Sequence, residues 1–244
     1  FHMDICTVAA MISNARSGAS PFISPIHLAM IQLHYFPGNA SMTPHLLLEE
    51  LGVPFELKLV DRANNAHKSP EYLKLNPNGL IPVLVDGDLV LYEAAAIVLH
   101  LVDTHRSAGL APDIGTAERA HFYKWLVWFA ASLVPQFQIY FYTERYLAPG
   151  NAGGVAELKA AIEKKIEDLV DQIDAQLASH GGPWLLGERF SALDPYVFML
   201  CRWSRGFTRP ARSLPHIAPF LERMLARPAV QKVFEVEQLS PPWV

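Results

Sequence analysis

Apolar positions along this chain change their period once. Between residues 30 and 103 they fall in short runs, IQLHYF (31–36), FELKLV (55–60), IPVLV (81–85) and LVLY (89–92), each of strand length and bounded by turn residues. The last two flank Asp86-Gly87, a strong hairpin signal. Between the first two, Thr43-Pro44 predicts an N-cap with Pro at the first helical position. Leu46, Leu47, Leu48 and Leu51 supply that helix's apolar face, and Gly52 ends it. DRANNAHKSPEYLKLNPNG reads as a loop holding one short helix, and EAAAIVLHLVD after the hairpin as another helix. From residue 116 onward the period is helical. Residues 116–148 carry aromatics on several faces, which predicts a buried helix bent near Pro135. Leu158, Ile162, Ile166, Leu169, Ile173 and Leu177 then recur at helical spacing with charges between them. Two or three more helices precede a Pro-rich tail.

The order β-α-β, a connection, then ββ-α predicts a thioredoxin-like domain with one mixed sheet over 30–103. THRSAGLAPDIG (104–115) reads as a linker and 116–244 as an all-helical domain. Residues 1–29 read as an N-terminal extension; they lack the basic stretch and continuous apolar core of a secretory signal and carry no motif with an assignable role. Composition changes this picture little. With 51% hydrophobic residues, 18% charged and a net charge of −4, the chain has the make-up of a soluble globular protein and no basic excess to attract nucleic acid. No apolar run is long enough to predict a membrane span. Cys6 and Cys201 form neither a CxxC pair nor a disulfide framework, so the expected setting is the cytoplasm.

Three motifs point further. GLIPVL, LYEAAAIVLHL and LLGERFSALDPYVF, in that order and at these separations, resemble a cytosolic glutathione S-transferase over roughly residues 30–238. The resemblance implies an α/β thioredoxin-like N-terminal domain followed by an all-helical C-terminal domain. It implies glutathione as cosubstrate without a metal, a small hydrophobic electrophile as second substrate, and a homodimer. Isomerases, dehalogenases, peroxidases and non-catalytic binders share the scaffold.

The resemblance also assigns residues. Ile81-Pro82 matches the family's cis-proline, a turn that exposes the backbone of the preceding residue to pair with the cysteinyl part of glutathione as a strand would. Glu93 and Ala94 match the pair that binds the γ-glutamyl end at a helix N-terminus, with Ala where the family usually has Ser. His67 and Lys68 match cations that meet the glycyl carboxylate in plant-type members. PGNASMTPH is similar to the loop of bacterial beta-class members, whose PGACS carries a cysteine where this chain has Ala40. The loop therefore reads as a cradle for glutathione's own sulfur, with Ala40 contributing backbone. Ser41, Asn39 and Tyr35, in that order, are the candidate donors to the thiolate. Trp128, Ser132, Gln136 and Tyr140, at spacings of four on a helix beginning near His121, are expected to line the electrophile pocket. Ser191 and Asp194 read as an S-x-x-D capping box, which puts Pro195 at the fourth helical position, where it forfeits a backbone hydrogen bond.

Overall fold

The computed structural model describes residues 30–244, so the extension expected over 1–29 lies outside the described residues. Four strands form one mixed sheet in the order β2-β1-β3-β4: β1 (Ile31–Tyr35), β2 (Phe55–Leu59), β3 (Val83–Asp86) and β4 (Leu89–Tyr92). β1 runs parallel to β2 and antiparallel to β3, and β3 and β4 close the hairpin over Gly87. The crossover from β1 to β2 is α1 (Met42–Leu51); α2 (Pro70–Leu75) precedes β3, and α3 (Ala94–Thr104) follows β4.

Alternation along the strands sorts the two faces. Leu33 and Leu84 point into the large core with Leu46 and Leu47 of α1 and Ile97 and Leu101 of α3. Val83 points the other way, into a small cluster with Val60 and Tyr72. α1 is the keystone, because it packs on α3 and also on α7 and α9 of the helical domain. It starts one residue after Ser41, so Thr43 and Pro44 lie inside its first turn rather than at its cap. The Thr43 hydroxyl is buried and donates to Met199 Sδ at 3.3 Å, tying the two domains together.

The helical part comprises α4 (Ala117–Trp128), α5 (Val134–Phe141), α6 (Ala152–Ala178), α7 (Leu193–Trp203), α8 (Ile217–Leu225) and α9 (Pro228–Val236). α6 buries Ile162, Ile166, Val170, Ile173 and Leu177 along one stripe. No described helix is long and apolar enough to cross a membrane.

Two local features depart from the expected pattern. Between α4 and α5 the bend near Pro135 is a π-type turn over Phe129–Leu133, which absorbs the break in the hydrogen-bond ladder that a proline imposes. At α7 the helix begins at Leu193 with Ala192 as N-cap, so Pro195 is the third helical residue. Its missing N–H is then one of the donors a helix start leaves unpartnered anyway, and the proline costs no hydrogen bond. Ser191 and Asp194 do bond to each other: Asp194 accepts from the Ser191 N–H at 2.7 Å, and also from the Leu185 N–H at 2.8 Å. Burial pushes the Asp194 carboxyl up to about 6, against the pull of those donors.

Candidate functional site

Where β1 ends, the chain makes a tight turn through Phe36–Ala40 and enters α1. Gly38 takes φ 67°, a left-handed conformation that favours glycine. Its peptide is held from both sides by residues far along the chain. The Gly38 N–H donates to Glu237 Oε2 at 2.7 Å, and its carbonyl accepts from the Trp203 indole N–H at 3.1 Å. Glu237 also meets His45 Nδ1 of α1 at 2.8 Å, with both side chains fully buried. These contacts fix the turn against α7 and the segment after α9.

Opposite the turn stands the segment before β3. The Ile81-Pro82 bond is cis, as the motif predicts. The Leu80 carbonyl accepts from the Tyr72 hydroxyl at 2.8 Å and from Asn76 Nδ2 at 2.9 Å, which anchors the peptide ahead of the turn. Neither the N–H nor the carbonyl of Ile81 takes part in a backbone hydrogen bond among the described residues. Gly79 packs so tightly that an added Cβ would sit 2.7 Å from the His67 carbonyl and 2.8 Å from Lys68 Nζ. Glu93, one residue past the Tyr92 that pairs with Val83, stands next to this turn and has φ 72° and ψ 113°. A non-glycine residue in that region is strained, and such strain collects at ligand sites.

Between these elements and the helical domain lies a cleft of about 420 Å³. Phe36, Gly38, Asn39, Ala40 and Ile81 line its sheet side, and Val134, Gln138, Phe141, Tyr142 and Trp203 its helical side. His67 and Lys68 border it with Arg62, Arg145 and Arg205. Burial, followed by the charges of Arg62, Lys68 and Arg145, pulls the His67 imidazole below its ordinary value. His67 is therefore neutral at neutral pH, and its buried Nδ1 has no partner. The positive charge at this end comes from Lys68 and the arginines, not from a His–Lys pair.

The structure separates the three candidate thiolate donors. Ser41 is fully buried and does not line the cleft; its Oγ accepts from the Phe36 N–H at 3.2 Å and donates to the Phe36 carbonyl at 3.1 Å. That hydroxyl closes the turn on itself. Tyr35 also lies off the cleft, edge-on to His45 at 6.1 Å, and burial followed by the Glu237 charge raises its phenol pKa. Asn39 does line the cleft. Its Oδ1 accepts from the Ala40 N–H, which leaves the Nδ2 amide as its free donor.

The residues expected to form the electrophile wall do not line this cleft. A π turn holds one residue more than an α turn, so the residues beyond it are rotated by about 100°. Spacing by fours across Phe129–Leu133 therefore does not stay on one face. Trp128 packs edge-on against Trp125 at 5.2 Å, and Tyr140 lies on Phe207 at 4.5 Å with Lys159 over its ring. Ser132 and Gln136 are half-buried and lie outside the cleft lining, as do Trp128 and Tyr140. Pro82, Glu93 and Ala94 are also outside that lining, although Glu93 adjoins its Ile81 edge. Sequence reasoning included Gly38 in the cradle loop but missed Gly79, Trp203, Glu237 and the cleft arginines; of these only Gly79 had a local signal, in NPNG. Cys201 is buried on α7, where burial pushes its thiol well above the usual range.

Comparison with known proteins gives a consistent answer for both halves. Residues 29–103 match the family model described as glutathione S-transferase, N-terminal domain, and residues 145–236 the one described as glutathione S-transferase, C-terminal domain. The chain is 32% identical over 210 residues to glutathione S-transferase GST-4.5 of Xanthomonas campestris pv. campestris, covering 86% of this chain and all of that protein. Among solved structures, the glutathione S-transferase of Xylella fastidiosa is similar with a TM-score of 0.78 and 31% identity, over 86% of this chain and 100% of that one. A glutathione transferase homologue from sulfitobacter, with bound glutathione, gives a TM-score of 0.78 and 27% identity over 86% and 99% of the two chains.

Proposed function

This chain belongs to the glutathione S-transferase family, and we propose that it joins the sulfur of glutathione to a small hydrophobic electrophile in the cleft between its two domains. It is a glutathione transferase; the electrophile and the roles of individual residues are our reading. The observation that carries this reading is the unpaired Ile81 peptide beside the cis bond, facing the Asn39–Ala40 turn. An unpaired strand-like peptide is a template for another extended backbone. Glutathione is such a backbone, with its thiol at the middle residue.

The remaining groups suit the ends of that tripeptide. Lys68, with Arg62 and Arg145 near it, provides positive charge for the glycyl carboxylate, and neutral His67 adds a hydrogen bond. Glu93 and the first turn of α3 suit the γ-glutamyl ammonium and carboxylate. At the centre, a thiol with a pKa near ~8.5 is mostly protonated at neutral pH. The Asn39 Nδ2 amide and the N-terminal end of α1 favour the thiolate and release the proton to solvent. The sulfur then attacks the electrophilic carbon, a C–S bond forms, and a leaving group such as chloride departs with its electron pair. Residues 36–41 contain no cysteine, so a mixed disulfide at this turn is not part of the reaction. Phe141, Tyr142 and Trp203 supply apolar surface for the electrophile.

A cytoplasmic setting fits a reduced-thiol cosubstrate. A homodimer fits the outer face of α4, where Tyr123 and Val127 are 39% and 62% exposed one turn apart. Sedimentation at micromolar concentration is expected to give twice the mass of one chain; a single-chain mass would remove the dimer from this reading. Retention on glutathione-agarose, followed by conjugation of an aryl chloride, tests the function. Retention without turnover would leave a binder of the same fold, and failure of both would end the reading.

A further inference from the structure

The cleft carries more positive charge than glutathione uses. Arg62, Lys68, Arg145 and Arg205 line it, and no acidic side chain does. Among the described residues none of these four pairs with a carboxylate, whereas Arg119, Arg209 and Arg227 elsewhere are each paired at 2.6–2.7 Å. The whole chain has a net charge of −4, so this concentration is local and opposes the average.

The four cations form two groups. Arg62, Lys68 and Arg145 gather around His67. Arg62 donates to the Tyr142 hydroxyl at 2.6 Å, and Arg145 stacks over the same ring at 3.9 Å. Arg205 shares none of these contacts with His67 or Tyr142. It sits just beyond α7, two residues after the Trp203 that holds the Gly38 carbonyl, and its Nη1 donates to the Arg202 carbonyl at 2.9 Å. That bond uses one of five donors and anchors the guanidinium without neutralising it. The glycyl carboxylate accounts for the first group, and the γ-glutamyl carboxylate belongs at α3. Arg205 has no counterpart in glutathione.

We propose that the electrophile side of the cleft takes an aromatic electrophile bearing an anionic substituent, a carboxylate or sulfonate, with its ring against Phe141 and Trp203 and its anion on Arg205. This rests on the transferase reading. A guanidinium that shares a partly enclosed cleft with apolar rings gains from an oxyanion able to accept two of its N–H groups more than it would in bulk water. A neutral ring in the same place desolvates Arg205 and gives nothing in return, so the site selects against it.

The test uses two S-aryl glutathione conjugates that differ by a ring carboxylate, the dinitrophenyl and carboxy-dinitrophenyl forms, with binding measured by calorimetry on the full chain. Turnover of chlorodinitrobenzene and chlorodinitrobenzoate, each corrected for its uncatalysed rate, is the second arm. The carboxylated conjugate is expected to bind about tenfold more tightly at low salt, with the preference shrinking as ionic strength rises. Arg205→Gln is expected to collapse that ratio and Arg205→Lys to retain part of it; melting temperatures show whether each variant is folded. Equal affinities for the two conjugates, or a ratio unchanged in Arg205→Gln, overturn the proposal. If the uncharged conjugate binds and its electrophile is turned over without an anionic advantage, only the substrate class falls. If neither conjugate binds, the transferase reading falls and takes this one with it.

Discussion

Two turns in this molecule solve one problem with parts drawn from very different distances. Ahead of α7, Asp194 accepts the backbone N–H groups of Ser191 and Leu185, three and nine residues away. Ahead of α1, Glu237 accepts the Gly38 N–H across 199 residues of chain. Each turn is an entry to a helix, each has a serine just before the helix, and each is held by one buried carboxylate. The difference is functional. The local device holds a core in place, and the long-range device makes the cleft turn depend on the docking of the helical domain.

The largest effect is expected from breaking the local device. Asp194→Ala leaves the Ser191 and Leu185 N–H groups buried without an acceptor, which is expected to cost about 4 kcal/mol in denaturant unfolding. A loss under half of that would show that the turn relaxes and reaches water. Asp194→Asn sharpens the comparison through pH. The folded pKa of Asp194, about 6, lies above its ordinary 3.8, so the fold keeps a proton that the unfolded chain has released. Stability from this group is full below about 4 and declines as pH rises towards about 6. The variant lacks this slope, so the gap between wild type and Asp194→Asn should narrow over that window; a constant gap would exclude the titration.

Breaking the long-range device comes next. Glu237→Ala strands the Gly38 N–H and His45 Nδ1 and is expected to cost about 2–3 kcal/mol of stability. It should also lower kcat for conjugation by about tenfold or more, because the turn that we propose positions the sulfur is no longer held. Glu237→Gln can accept from Gly38 and donate to the other His45 tautomer, so it should recover most of both. Loss of stability with kcat unchanged would make the clamp purely structural.

The turn itself offers the two smallest effects. Asn39→Ala removes the free amide donor and is expected to raise the pKa of enzyme-bound glutathione by about one unit, read by ultraviolet titration of the thiolate. Ser41→Ala deletes the bond that closes the turn and is expected to cost about 1 kcal/mol of stability, with the thiolate pKa nearly unmoved. The reverse ranking in that titration would return the donor role to Ser41.

The same contrast explains what could be read from the sequence. Strands, hairpin and the Ser191–Asp194 pair are local, so alternation, turn dipeptides and spacing expose them, whereas the cis-proline turn was legible only through the family resemblance of GLIPVL. Glu93 was likewise assigned by the resemblance, through LYEAAAIVLHL, and not by its position after the hairpin. A hydroxyl before a helix looks the same in sequence whether it faces a ligand or turns back onto a peptide, as Ser41 does onto Phe36. The face formed by Val134, Gln138 and Phe141 was hidden by a π turn, whose extra residue leaves no mark in composition. Trp203 and Glu237 carried no signal, because pairing across 165 and 199 residues is a property of the finished fold.

The distance from Gly38 to Glu237 also sets an order of events during synthesis. A ribosome adds about 5–20 residues per second, so the 199 residues between them take about 10–40 s to translate. Throughout that interval the first turn of the sheet domain exists without the carboxylate that will hold it. The part of the cleft made earliest is completed among the last, so a chain interrupted before residue 237 can carry every strand of the sheet and still lack the brace on its cleft turn.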